Sequence, residues 1–359
     1  MKIFAFYLPQ FHRIKENDEW WGEGFTEWTN IKGAKPLFKG HNQPLYPLHY
    51  NYYNLLDKNT VKWQTELLKK YKIDGLIYYH YYFEGKTILE KPAENLLNDK
   101  TIDQNFFFCW ANHTWKKSWD GSSKILLEQT YGKKESWERH FQYLLPFFKD
   151  KRYEKKNNSP LFMIYLPFFS EKDEMVEYFD KRCKEEGFSG IAIIDSIQNV
   201  NDVNYKIYQT FNNRCTQYVF LREPSYGQAA FINKHRFLFL IKRIKVFFRK
   251  RMNIGKYVLT FSGDKILSES LKHKPCFSNS LKGLFFEWDN TPRHGYRGYI
   301  IKPISKKMFD KFMKEVSCQD YLFINAWNEW CEGMTLEPTE KDGFKYLEWI
   351  KEWKEGNDQ

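Results

Sequence analysis

Tyr321-Leu322-Phe323-Ile324-Asn325-Ala326-Trp327-Asn328-Glu329-Trp330-Cys331-Glu332-Gly333 reads as a buried strand that runs into a turn carrying two carboxylates among tryptophans. The apolar lead predicts a strand shielded on both faces, and Glu329 falls at or just past its end. Side chains at i and i+3 of a continuous strand point to opposite faces, so Glu329 and Glu332 can share a site only if the strand has already turned. Gly333 permits that turn. A bare Glu-x-x-Glu is ordinarily a pair of solvated loop acids. The tryptophans here argue for a site, because an exposed indole needs a reason and stacking on a sugar supplies one. Cleaving a glycosidic bond needs a proton donor for the leaving oxygen and a second carboxylate at the anomeric carbon, which makes these two glutamates the candidate catalytic pair.

Working outward, runs of the same kind occur at residues 3–8, 75–81, 106–110, 161–166, 191–195, 218–221 and 284–288. Helical periodicity lies between most of them, at 61–71, 137–149, 172–186 and 306–316, with a last stretch at 343–355. Alternating strands and helices predict parallel strands joined by crossover helices, and eight repeats predict an α/β fold closed as one (β/α)8 TIM-type barrel with extended βα loops. No linker or composition shift divides residues 1–359, so a single catalytic domain is expected. The strand at 218–221 is the weakest of the set, and residues 223–233 read as a long loop.

In such barrels the active site is built at the C-terminal ends of the strands. There the chain places Gln10 and His12, then His80 and Tyr82, then Asn112 and His113, then Asp289 and Asn290, and last the two glutamates. For any one of these, a hydrogen-bonded core or loop residue is about as good a reading as a substrate contact. The loop at 20–28 carries Trp21, Glu27 and Trp28 and reads as one wall of a cleft; Trp110, Trp115, Trp119 and Asp120 read as another. Aromatic residues make up 19% of the 359, more than core packing usually requires, and half of the cleft set is expected to be plain packing.

The net charge is +11, and much of it sits in residues 234–256, where Lys and Arg without any acid flank an apolar stripe from Phe237 to Phe248. That pattern predicts a basic amphipathic helix, either cladding on the sheet or a peripheral contact with anionic lipid. No recognition motif accompanies the charge, so nucleic acid is not expected as a partner. Six scattered cysteines show no Cys-x-x-Cys spacing, so neither a zinc site nor a disulfide framework is expected. There is no run of eighteen apolar residues and no signal-peptide pattern, and the expected location is cytoplasmic, either free or peripheral at the inner face of the membrane.

Phe6-Tyr7-Leu8-Pro9-Gln10-Phe11-His12, the 20–28 loop, Tyr79-His80-Tyr81, Phe108-Cys109-Trp110-Ala111-Asn112, Trp288-Asp289-Asn290-Thr291-Pro292-Arg293 and Trp327-Asn328-Glu329-Trp330 with Glu332-Gly333 together resemble the WbsX-type family of polysaccharide gene clusters. The resemblance spans nearly the whole chain. That family is often labelled glycosyltransferase, and it is similar to glycoside hydrolase family 99, the endo-α-1,2-mannosidases and mannanases. The resemblance implies a retaining endo-glycosidase acting on a surface polysaccharide. In it Glu332 is the general acid, and Glu329 takes the proton of the sugar's own 2-hydroxyl to form a 1,2-anhydro sugar. It also implies sugar contacts at Trp288, Asp289 and Asn328, and neither metal nor cofactor. His113 and Cys331 depart from the family pattern, the first where a glutamate commonly stands and the second where the mannosidases carry histidine. Two alternatives stay open: a glycosyltransferase of O-antigen or capsule biosynthesis, docked at the membrane by residues 234–256, and a non-catalytic glycan-binding barrel.

Overall fold

The runs that read as buried strands are strands in the computed structural model, which describes residues 1–116, 124–201, 215–251, 257–274 and 278–357. They are β1 (Lys2–Tyr7), β2 (Gly75–Phe83), β3 (Phe106–Trp110), β4 (Ser159–Ile164), β5 (Ala192–Ile197), β6 (Thr216–Leu221), β7 in two pieces (Ser280–Lys282 and Leu284–Phe285), and β8 (Tyr321–Asn325). All pair in parallel in the order β6-β5-β4-β3-β2-β1-β8, and β1 sets Phe4 between Phe323 of β8 and Gly75 of β2. Parallel strands are covered on both faces, which is why they read as unbroken apolar runs.

The barrel closes through β7. Its first piece lies along β6, with Leu281 opposite Phe220, and its second along β8, with Leu284 opposite Ile324. Gly283 stands between the pieces, so close to its neighbour that a Cβ there would lie 2.7 Å from the Phe220 ring and 3.1 Å from the Leu221 carbonyl. The interior is filled largely by phenylalanine rings: Phe4 meets Phe107 at 5.3 Å, Phe107 meets Phe323 at 5.6 Å, Phe323 meets Phe220 at 5.2 Å, and Phe220 meets Phe6 at 5.7 Å. Much of the chain's aromatic content is therefore barrel core, and the buried apolar cluster extends from Ile3 to Ile350.

Helices Lys58–Lys70, Lys134–Lys149, Lys172–Glu185, Lys306–Glu315 and Lys345–Asn357 clad the barrel where the periodicity places them. Local chemistry starts them: the Asp57 carboxylate accepts from the Asn59 amide, and the Ser305 hydroxyl accepts from Met308. Residues 223–233, expected as a loop, instead form helix Ser225–Lys234. Its start is held by the buried Glu223 carboxylate, which accepts the Gly227 amide at 3.0 Å, an arrangement with no simple capping signature in sequence.

The basic segment at 234–256 forms helix Arg236–Arg251, and residues 252–256 lie outside the described set. Phe239 turns inward toward Phe261, at 6.3 Å between ring centroids. The stripe Phe237, Leu240, Ile244, Phe247 and Phe248 does not pack on the barrel, with Phe237 74% and Phe247 59% exposed. No described helix is long and apolar enough to cross a membrane.

If Gly283 pins the closure, Gly283→Val should destabilise the protein by roughly 1–3 kcal/mol, the usual range for an overpacked core. Chemical denaturation reads this directly. An unchanged midpoint would mean that β7 can move off β6 without loss.

Candidate active site

Beyond Asn325 the chain leaves the barrel without losing its ladder. The Trp327 amide donates to the Phe6 carbonyl at 2.7 Å, and the Asn328 side chain then takes over. Its Oδ1 accepts the Leu8 amide at 2.7 Å, and its Nδ2 donates to the Leu8 carbonyl at 3.1 Å. Asn328 and Glu329 pair with Thr335 and Met334 as a small antiparallel hairpin whose tip is one 3-10 turn, Trp330–Glu332. The turn folds the chain back directly after Glu329, and Glu332 comes to the same side as Glu329. Gly333 closes the tip at φ +62°, and a Cβ on it would lie 2.9 Å from the Asp289 amide nitrogen. Beneath the hairpin the buried Glu337 carboxylate accepts from Tyr53 Oη (2.6 Å), Gln64 Nε2 (2.6 Å) and Trp330 Nε1 (2.7 Å), fixing the indole that separates the two glutamates.

Both glutamates open into a cleft of about 550 Å³ at the C-terminal mouth of the barrel. Trp21, Phe25, Tyr79, Tyr81, Trp115 and Trp288 give it flat walls. Its charge centre is Arg293, whose Nη1 lies 2.7 Å from Glu332 and whose Nη2 lies 3.2 Å from Glu27 and 3.4 Å from Glu329. Burial, with the negative charge of Glu332 added, pushes Glu329 up to about 8, and Arg293 pulls it back only in part. Burial also raises Glu332, but there Arg293 and then Arg222 oppose it. Two buried carboxyls this close share a proton rather than both ionise. The shorter Arg293 contact favours charge on Glu332 over charge on Glu329.

The cleft gathers Glu329, Glu332, Glu27, Trp21 and Trp288 from the expected set, together with Gln10, His113 and Trp115. The others lie elsewhere. His80 sits one residue off the cleft face of β2: Tyr79 and Tyr81 face the cleft, and His80 faces the helices, its Nε2 2.9 Å from His140 Nε2, with burial pushing it down to about 3. Trp110 likewise points outward and donates to the Tyr82 carbonyl at 3.1 Å. Asn112 ties two loops together through the Leu166 amide and carbonyl, both at 2.8 Å. Trp28 follows Glu27 in a helix, so it turns into the core against Phe11 and Trp330 while Glu27 reaches the cleft. His12 is buried away from the cleft, and burial lowers it to about 4, with the Pro9 backbone opposing. Asp289 accepts from Gln43 and Thr291 and meets His41 Nε2 at 2.8 Å, thereby holding the short helix Thr291–His294 that carries Arg293. Asn328 serves the backbone, as described. Trp119 and Asp120 lie outside the described residues. Among those residues no group of three or more His, Cys, Asp or Glu is placed to hold a metal ion.

The profile of the family Glycosyltransferase WbsX matches residues 3–350. The chain belongs to this family. An uncharacterized protein, WxcX, from two Xanthomonas campestris pv. campestris strains, ATCC 33913 and B100, is 28% identical over 366 aligned residues, covering 96% of this chain. The match takes up 48% of those proteins, so the WbsX-family chain here spans about half the length of its curated relatives. Among solved structures, the GH99 endo-alpha-mannosidase from Bacteroides thetaiotaomicron superposes with TM-score 0.55 at 12% identity, covering 99% of this chain and 96% of that one. Its complex with bis-tris-propane gives TM-score 0.57 at the same identity, with 99% and 98% covered. A glycoside hydrolase-like protein gives 0.58, also at 12% identity, over 98% of this chain and 93% of that one. These likenesses establish a shared barrel fold.

The cleft residues that escape the sequence reading include Arg293, Arg222, Tyr165 and Gln198. Arg293 sits in the Trp288-to-Arg293 motif, where its charge was the available signal. Arg222 follows β6, the strand with the weakest sequence pattern, and so was not counted as a strand-end residue.

Proposed function

We propose that this chain is a carbohydrate-active enzyme that acts on a glycosidic bond of a polysaccharide or oligosaccharide, with Glu329 and Glu332 as its working pair. The observation that carries this reading is the 3-10 turn that aims both carboxyls into one aromatic-walled cleft, with Arg293 between them. One proton shared by the two supplies an acid and a base at neutral pH. Following the family resemblance, Glu332 protonates the leaving oxygen while Glu329 takes the proton of the sugar's 2-hydroxyl. That oxygen attacks C1 to give a 1,2-anhydro sugar; water or a sugar hydroxyl, deprotonated by Glu332, then attacks C1, the C1–O2 bond breaks, and Glu329 returns its proton to O2, with net retention. Arg293 holds Glu332 charged in the free cleft, so this division requires the entering glycan to draw Arg293 off Glu332. Glu27, already 3.2 Å from the guanidinium, is the acid on which it would stay. Water as acceptor makes the enzyme an endo-glycosidase, and a sugar hydroxyl makes it a transferase of the kind the family description names.

The test is turnover of a polysaccharide digest and of an aryl glycoside with a good leaving group. Glu332→Gln should lose the first by at least about a hundredfold, the scale of general acid catalysis, and keep much of the first-turnover release of the aryl group from the second. Glu329→Gln should lose both. Activity against pH should be bell-shaped, failing as the pair gains a second proton and again as it loses its last, near the value of about 8 reached by Glu329. A cation favours charged carboxylates, so in Arg293→Gln both limbs should move to higher pH. Full polysaccharide turnover by Glu332→Gln would sink the assignment.

The exposed stripe of helix Arg236–Arg251 favours a second partner. Phe237, Leu240, Ile244, Phe247 and Phe248 share one helical face, flanked by exposed Arg236, Arg243, Lys245 and Arg251. An apolar face edged by cations suits the interface of an anionic bilayer, where each cation contributes on the order of 1 kcal/mol. Co-sedimentation with phosphatidylserine vesicles at low salt should therefore capture the protein, and added salt should release it. Replacing Phe237 and Phe247 by Ser, or Arg243 and Arg251 by Gln, should weaken capture several-fold. Equal capture of wild type and variants would show that this face does not meet lipid.

A further inference from the structure

One cation in the cleft is not matched by an acid. Arg222 follows β6, lines the cleft and is only 9% exposed, yet it forms no ion pair within 4 Å among the described residues. Its Nε and Nη1 have no hydrogen-bond partner there. What holds it is aromatic: the guanidinium lies over the Tyr165 ring at 4.1 Å, and Tyr165 and Tyr79 are the groups that most favour its charge. Around it stand other unused donors. Gln198 Nε2 lines the same cleft without a partner, and so does Trp288 Nε1. His113 packs on the other side of this corner, 5.4 Å from the Tyr165 ring, and burial, with the Arg222 charge added, pushes it down to about 4. A buried guanidinium without an acceptor is costly, and native interiors rarely leave one so.

We infer that Arg222, with Gln198 beside it, forms a subsite for a carboxylate on the glycan, so that the substrate is an acidic polysaccharide carrying uronic-acid-type sugars. The inference rests on the glycan-cleft reading of the same pocket. A carboxylate that reaches the guanidinium gains a charge-assisted hydrogen bond, about twice as strong as a neutral one. A neutral hydroxyl would leave the charge unpaired. A diphosphate would bring two or more negative charges to one buried guanidinium, in a cleft that already holds Glu27, Glu329 and Glu332 against Arg293. One negative charge is what the corner can match.

Glucuronate and glucose differ only at C6, and tryptophan fluorescence from Trp21, Trp115 and Trp288 reports occupancy of the cleft. Wild type should bind glucuronate at least about tenfold more tightly than glucose, the scale of one charge-assisted pair. Arg222→Met should abolish that preference, and Arg222→Lys should retain part of it. His113→Glu, which sets a carboxylate in the same corner, should abolish it without removing the arginine. This second variant serves where Arg222→Met does not fold, as judged by circular dichroism. Equal affinity for both sugars in wild type overturns the acidic subsite and leaves the glycan cleft standing. Binding of neither overturns the glycan cleft and this inference with it. Inorganic phosphate binding more tightly than glucuronate also overturns it, in favour of a phosphate-bearing ligand.

Discussion

Three carboxylates cannot be buried at the mouth of an aromatic barrel without a cation among them, and Arg293 is that cation. Glu27, Glu329 and Glu332 come from segments up to 305 positions apart in sequence, yet all three lie within 3.4 Å of one guanidinium. Five donors in a rigid fork let a single side chain serve several acceptors, which a lysine could not do with the same geometry. The ion cluster therefore sets the positions of the acids as well as their charges. Removing the arginine would leave buried carboxylates uncompensated, a change that costs far more than the loss of a surface pair. Everything that orients Arg293 becomes part of the site at one remove: the Asp289 carboxylate that accepts from Thr291, and the side-chain-free approach of Gly333 to the Asp289 backbone.

The same logic explains which polar residues at the strand ends face the ligand and which do not. Along β2 the side chains alternate, so Tyr79 and Tyr81 go to the cleft and His80 to the helix layer. A continuous apolar strand gives no clue to that phase, because both of its faces are buried and the hydrophobic pattern is uniform. The fold was thus legible as a count of strands and helices, while the facing of individual residues was not. At β8 the glutamates were legible because the strand stops: the tryptophans and Gly333 mark a turn, and a turn places i and i+3 together. Glu27 and Trp28 show the limit of this reading. They are adjacent in sequence, and the roughly 100° step of a helix sends one to the cleft and the other to the core.

Helix Ser225–Lys234 and Arg222 were hidden for a related reason. The helix owes its start to a carboxylate four residues upstream and its packing to helix Gly263–Lys272, through the 2.6 Å contact between Tyr226 Oη and His273 Nδ1. Neither is a local signal. The basic helix Arg236–Arg251 is the opposite case. Its periodicity was plain in sequence, and what the structure adds is that the apolar stripe stays in solvent while Phe239 alone of its phenylalanines reaches Phe261.

The cleft is chemically lopsided, and this bears on how a chain of sugars would lie in it. Acids and their arginine gather at the β8 turn, whereas unpaired donors gather around Arg222 at the end of β6. A glycan that presents hydroxyl protons to the first side and an acceptor-rich group to the second fits in one direction only. Orientation is then imposed by charge rather than by shape, because the aromatic walls are tolerant of which sugar face they stack. Under the proposed mechanism the carboxylate pair would be indifferent to whether water or a sugar hydroxyl arrives second, since either would lose its proton to the same base. Hydrolysis and transfer would then be two outcomes of one geometry. The acceptor that reaches the open end of the cleft would separate them, and a helix that held the chain against a lipid surface would be a means of choosing that acceptor.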